Sequence, residues 1–201
     1  MLLTVGHGAA GREGLGELLA GAGVGLVVDV RRYPASRSNP DVRREALERW
    51  LPEVGVDYRW EPRLGGRRHT PAGTPEPDTW WTVAAFRAYA AYTRTPDFRA
   101  ALDEVLADAA TRSTAVMCSE SVWWRCHRRL IADVAVVGHG VPVQHLMPDG
   151  RLTPHRPAEG ARRGDDATVH WTADPWPAAP HGAGTPGPDG AGPRSPGRCR
   201  P

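Results

Sequence analysis

Apolar residues follow two rhythms along the first three quarters of the chain. Leu2-Leu3-Thr4-Val5 and Leu26-Val27-Val28-Asp29-Val30 are short, nearly unbroken runs, the pattern of parallel strands buried on both faces. Between them Leu15, Leu18 and Leu19 recur at helical spacing, and glycines at 21, 23 and 25 close that helix. A loop over residues 31–38 leads to Asn39-Pro40, the cap and first residue of a helix whose apolar face is Val42, Ala46, Leu47, Trp50 and Leu51. The alternation in Val56-Asp57-Tyr58-Arg59-Trp60 predicts a third strand, and residues 64–78 a long Gly/Pro-rich loop. Two helices follow, one over 81–92 with Val83, Phe86 and Ala90 inward, the next starting at Thr95-Pro96 with Phe98, Leu102, Val105 and Leu106. A strand over 114–118, a helix over 122–137, a strand over 141–146 and a turn at Asp149-Gly150 complete the series. Strands alternating with helices predict an α/β fold, a single Rossmann-like domain with a mainly parallel sheet and helices on both faces, spanning residues 1–150.

Residues 151–201 read differently. Half of the 20 prolines fall there, among Gly, Ala, Asp and Arg. So little apolar surface does not offset the entropy of ordering, so a disordered tail is expected, with Trp171 and Trp176 as the aromatic residues able to dock its first part. No apolar run is long enough to span a bilayer, so no membrane partner is expected. Three cysteines, one of them Cys199 in the tail, do not make a disulfide framework, which points to a reducing cytoplasm. The 25 basic residues, all arginine, nearly balance 23 acidic ones, so net charge makes no case for nucleic acid or membrane. The absence of lysine excludes a Schiff-base lysine and a phosphate-loop lysine.

The chemistry gathers at strand ends. His7 follows the first strand, Asp29, Arg31 and Arg32 end the second, and Cys118 and Glu120 end the fourth. If these strands run parallel, their ends share the edge where α/β folds place ligands. The densest cluster is Cys118-Ser119-Glu120-Ser121-Val122-Trp123-Trp124-Arg125-Cys126-His127-Arg128. Cys126 and His127 are expected in the early turns of a helix, where the helix start, Arg125 and Arg128 would favour a thiolate. Glu120 would orient His127 or act as a base. The competing reading is that both cysteines simply pack in the core. A phosphatase loop requires arginine where Trp124 stands, C-x-x-C pairs are absent, and the deaminase, nucleophile-elbow and phosphate-loop signatures are missing. A metal site from Cys118, Cys126, His127 and His7 is the alternative on ligand chemistry, although a helical offset would splay Cys126 and His127 by about 100°.

Arg31, Arg32, Arg37, Arg63, Arg67, Arg68 and His69 form a basic stretch suited to phosphate or carboxylate, or else a solvated surface. Gly65 and Gly66 allow a backbone to approach a ligand closely, or simply turn the chain. Trp80-Trp81 and Trp123-Trp124 are read as packing anchors before base-stacking platforms. His139, His145 and His155 have no organised neighbours in sequence and are left unassigned.

Thr4-Val5-Gly6-His7, then Asp29-Val30-Arg31 with Pro34, Ser36, Arg37 and Pro40, then Tyr58 with Leu64-Gly65-Gly66-Arg67, then Cys118-x-Glu120 followed by Cys126-His127-Arg128, resemble in order and spacing the motifs of the family catalogued as domain of unknown function 488. The chain departs from that pattern at Gly8, where serine is frequent, and at Trp123-Trp124, which replace an Asp-Pro-like stretch. The resemblance implies an α/β fold and suspected catalysis, with no substrate or cofactor attached. The expectation is an enzyme with Cys118, Glu120, Cys126, His127, Asp29 and His7 as catalytic residues. Arg31, Arg128, Gly65, Gly66 and Arg67 would hold an anionic small molecule or nucleic-acid-derived substrate. A nucleotide- or nucleic-acid-binding module using the arginine rim is the alternative.

Overall fold

Each expected strand forms, and together they build one mixed sheet in the computed structural model, which describes residues 1–70, 73 and 77–173. Its strands are β1 (Leu2–Gly6), β2 (Leu26–Asp29), β3 (Asp57–Trp60), β4 (Thr114–Cys118), β5 (Val143–Leu146) and β6 (Leu152–Pro154), in the order β3-β2-β4-β1-β5-β6. All neighbours pair in parallel except β5 and β6. The helices are α1 (Arg12–Gly21), α2 (Arg44–Glu53), α3 (Ala84–Tyr92), α4 (Pro96–Thr111) and α5 (Arg128–Asp133).

The period of two along each strand sorts side chains between two cores. Leu3 and Val5, Val27, and Ala115 and Met117 pack with Leu15 and Leu19 of α1 and Leu47, Trp50 and Leu51 of α2. Leu2, Val28, Val116 and Cys118 face the other way, onto Tyr89, Phe98, Leu102, Val105 and Leu130 from α3, α4 and α5. Helices therefore cover both faces. Each fully buried Leu or Val side chain contributes roughly 1.5–3 kcal/mol through area removed from water, enough to fix the register.

The strand order places the site. β1 and β4 are neighbours, yet β1 connects through α1 to β2 on one side while β4 connects through α5 to β5 on the other. A crevice opens where neighbouring strands send their connections apart, outside their carboxyl ends. The register aligns Gly6 with Cys118 and Asp29 with Met117, so the residues just beyond them emerge side by side.

Three expectations change. The helix expected over 122–137 is broken into a 3-10 turn at Trp123–Arg125, an extended Cys126, α5, and a π-helical turn at Val134–Gly138. Its apolar periodicity begins at Leu130, and upstream the backbone is held open by Arg128, whose guanidinium donates to the Glu120 carbonyl. The helix expected from Asn39-Pro40 is likewise a 3-10 turn at Pro40–Val42, then α2. The folded body also continues past residue 150. The turn at Gly150 (φ +81°) returns the chain as β6, and β7 (Ala161–Arg163) pairs with β8 (Val169–Trp171) in a hairpin that docks Trp171, fully buried, against Trp81 and Asp133 of α5. Trp176 and Cys199 lie outside the described residues.

Candidate functional site

The carboxyl ends of β1, β2 and β4 meet in a cleft of about 350 Å³, walled by His7, Arg31, Gly66, Tyr89, Cys118 and Cys126 among others. The three-strand convergence expected from the sequence is therefore present.

On one side, Asp29 anchors Arg31. Its two carboxylate oxygens accept from Arg31 Nε (2.8 Å) and Nη2 (2.5 Å), one also accepts the Arg31 backbone N–H, and Tyr58 donates its hydroxyl at 2.8 Å. Asp29 is fully buried and committed to these partners, beneath the cleft rather than in its wall. Burial opposes the charge on Arg31, but the Asp29 fork outweighs it and raises the guanidinium pKa. Burial, then the neighbouring carboxylate, pushes the Tyr58 phenol upward, so it stays a donor. Arg31 Nη1 lies 3.2 Å from His7 Nε2, and His7 Nδ1 lies 2.9 Å from the Gly8 carbonyl. One tautomer satisfies both bonds: Nδ1–H donates to Gly8 and Nε2 accepts from Arg31. Burial, then Arg31, lowers the His7 pKa, in keeping with a neutral ring.

On the other side stand the thiols. Cys118 ends β4, and Cys126 reaches the same place because its backbone is extended (φ −126°, ψ 151°) instead of helical. The expected splaying of Cys126 and His127 is thereby overturned: their side chains converge, with His127 Nδ1 3.5 Å from Cys126 Sγ and 3.9 Å from Cys118 Sγ. Arg128, 1% exposed, donates Nε to Cys126 Sγ at 3.4 Å, and among the described residues no carboxylate pairs with it. The Cys118 thiol donating to it, set against burial and reinforced by Arg128, lowers the Cys126 pKa to about 6. The same hydrogen bond, with burial, pushes Cys118 up to about 12. The two thiols are thus pushed in opposite directions, Cys126 toward the thiolate and Cys118 toward the thiol. The first backbone N–H of α5, from Arg128, lowers the Cys126 pKa as well, so the helix start acts together with the Arg128 guanidinium.

Packing fixes the imidazole. Tyr89 meets His127 edge to face at 5.1 Å, with its hydroxyl donated to the Leu64 carbonyl. A Cβ added at Gly66 would lie 2.9 Å from His127 Nδ1, and one at Gly65 3.0 Å from Arg32 and the Pro62 carbonyl. These glycines let the loop close over protein groups. Gly6 and Gly8 are as constrained: a Cβ on either would collide, with the Glu120 carbonyl and the Ser121 hydroxyl respectively, so a serine at position 8 does not fit this loop unchanged.

The rim is basic but smaller than the arginine count suggested. Arg32, Arg67 and Arg125 are exposed and line the cleft, with the exposed Glu120. Arg63 is paired with Glu61 and Glu104, while Arg68 donates to loop carbonyls and lies over Tyr92. Arg37 and His69 lie outside the lining. Trp80 and Trp81 pack with Phe86 and Trp171, as anchors.

A family model described as "Domain of unknown function DUF488" matches residues 12–135. The chain belongs to the DUF488 family. Of the cleft residues, His7 precedes the match, which covers Arg31, Gly66, Cys118, Cys126 and His127. No curated protein and no solved structure matches the chain.

Sequence reasoning missed two things about this DUF488 chain. Tyr89 and Phe86 wall the cleft although their spacing marks them only as helix-face residues. His145 and His155 do have organised neighbours. Thr4 Oγ1 lies 2.7 Å from His145 Nδ1, His145 Nε2 2.9 Å from His155 Nδ1, and His155 Nε2 2.8 Å from Asp133 Oδ1. Burial, then His155 and Arg128, pushes His145 down to about 3. Four segments supply this chain, which local sequence does not reveal. For the potential metal ligands, Cys118 Sγ, Cys126 Sγ and a His127 nitrogen lie within 4.8 Å of one another; His7 is not in the set.

Proposed function

We propose that this DUF488 protein is a thiol-dependent enzyme with Cys126 as its reactive thiolate, facing a small anionic substrate held in the arginine-lined cleft. The observation that carries this reading is Arg128. A buried guanidinium without a carboxylate is costly unless something else balances it, and the sulfur at 3.4 Å is the anion within reach. A thiolate so stabilised, opening on a cleft, is the state nucleophilic catalysis needs. Cys118 shares its proton with Cys126, and His127 stands beside both sulfurs to move a proton. Arg31, fixed by Asp29, and the exposed Arg32, Arg67 and Arg125 hold the negative group. Glu120 at the rim serves as an exchangeable base, and His7 fixes the free edge of Arg31. The cleft volume suits a mononucleotide-sized molecule better than a polymer strand, which favours a small substrate over a nucleic-acid-binding module.

The test compares two alkylating reagents of one size and opposite character. Iodoacetate should be preferred over iodoacetamide at Cys126, relative to a free thiol in solution, by several-fold at low ionic strength, because lining cations closer to the reagent than a Debye length are only partly screened. The preference should shrink with salt and in Arg125→Ala. A ratio equal to that of the free thiol would count against anionic binding.

The donor set within 4.8 Å favours a second reading, a thiophilic divalent cation on Cys118, Cys126 and His127. Tetrahedral zinc with bonds of about 2.3 Å to sulfur and 2.0–2.1 Å to nitrogen places its ligands at separations close to those seen here. A fourth position would open into the cleft. Stoichiometric zinc in the purified protein, lost in Cys118→Ser, would replace nucleophilic with Lewis-acid chemistry; metal-free protein with two titratable thiols at the site would leave the first reading in place.

A further inference from the structure

Outside the cleft lining the chain builds a second polar network, from Thr4, Asp133, His145 and His155, in which every one of these residues is buried. Asp133, at the end of α5 and fully buried, accepts from three directions. The Ala158 N–H reaches Oδ1 at 3.0 Å, His155 Nε2 lies 2.8 Å from the same oxygen, and Trp171 Nε1 donates to Oδ2 at 2.8 Å. His155 passes the chain to His145, and His145 to Thr4 on β1. With His155 donating to Asp133, His145 donating to His155, and Thr4 donating to His145, each ring nitrogen is satisfied.

This chain has an outlet toward the site. The ring of Trp123 lies flat on His145, with centroids 4.0 Å apart and planes 6° from parallel, and stands edge-on to His155 at 5.4 Å. Trp123 opens the turn that presents Cys126, whose N–H donates to the Trp123 carbonyl at 3.1 Å. The turn needs outside support. It is three residues long, has no side-chain cap, and its next residues, Trp124 and Arg125, are exposed.

We infer that β5 and the segment that follows it position the cysteine loop: Trp171 and His155, joined through Asp133, and His145 form a buried brace that ends on Trp123. The inference rests on the reading of Cys126 as the reacting group, but the loop's order can be tested separately from it. His145 is a positioning residue in this account, acting through Trp123. Its imidazole offers a face to the indole and a polar atom to each neighbour in the chain.

Two measurements on the full-length protein test this. Trypsin cuts after Arg125, within the braced turn, so cleavage there reports the turn's opening without thiol chemistry. Since an aromatic pair contributes enough to change an opening equilibrium by about twofold to tenfold, His145→Ala should speed that cut by such a factor. His145→Phe, which keeps a face for Trp123, should restore most of the protection. The second readout is the preference of Cys126 for iodoacetate over iodoacetamide, which loss of global stability alone would not move; it should fall in His145→Ala and recover in His145→Phe. A folded His145→Ala protein with unchanged cleavage overturns the inference, and so does faster cleavage with an unchanged preference. Should His145→Ala not fold, Trp123→Ala removes the stack from the loop side while leaving the hydrogen-bonded chain intact, and the same outcomes apply. If the wild-type protein shows no preference between the reagents, the nucleophile reading is what has failed, and the cleavage result alone decides the brace.

Discussion

Replacing Cys118 with alanine removes the leading stabiliser of the Cys126 anion while leaving Arg128 in place. A hydrogen bond to a charged group is worth about 1.5–3 kcal/mol, and a pKa unit corresponds to about 1.4 kcal/mol, so the titration of Cys126 should rise by roughly one to two units. From about 6 it would move to roughly 7–8. The thiolate fraction at pH 7 would drop from about nine-tenths to between one-half and one-tenth. The rate at one pH is a poor readout, because nucleophilicity rises with pKa; with a Brønsted slope near 0.4–0.5, the alkaline plateau should climb about threefold to eightfold. The assay is therefore the full pH profile of Cys126 alkylation by iodoacetamide, resolved by peptide mass spectrometry. Midpoint and plateau should rise together in Cys118→Ala, whereas Cys118→Ser, which retains a donor, should stay near wild type. A higher plateau without a midpoint shift would mean that the alanine merely opened the cleft, and the shared-proton argument would be wrong.

Other predictions follow from single contacts. Asp29→Asn breaks the fork on a buried guanidinium and should cost roughly 3 kcal/mol in urea unfolding; a change below about 1 kcal/mol would show that Arg31 finds another partner. Gly66→Ala forces a Cβ against His127 and should cost about 1–3 kcal/mol while altering Cys126 reactivity; an unchanged alkylation profile would show that the ring is dispensable there. Since the folded state holds Cys126 below its ordinary value, the unfolded chain binds the extra proton between about pH 6 and 9. Stability should accordingly rise with pH across that window, by on the order of 2 kcal/mol from pH 6 to pH 8, and be lost as pH falls; the raised Cys118 reverses the sign above about pH 9. Urea midpoints that stay flat from pH 6 to pH 8, or that move equally in Cys126→Ser, would contradict this.

The sheet and the location of the site were legible because period-two runs mark strands and parallel strand ends must share an edge. His7, Arg31, Cys118 and Cys126 were identified as candidates from chain position, before any geometry. What stayed hidden depended on contacts distant in sequence. Cys126 looked helical because an apolar rhythm follows it, yet a hydrogen bond from Arg128 to the Glu120 carbonyl holds the preceding turn open. The arginine rim looked broader than it is because sequence does not show that Arg63 and Arg68 are engaged with Glu61 and with loop carbonyls. Residues 151–173 resembled a tail by composition, and one buried indole, Trp171, together with His155 was enough to bind them to the body.

The most direct test of the central claim is the alkylation midpoint of Cys126 in the wild-type protein. The arrangement of Arg128 and Cys118 around its sulfur predicts half-maximal reaction near pH 6. A midpoint near pH 9, the ordinary thiol value, would contradict the account and leave the buried guanidinium without its counter-charge.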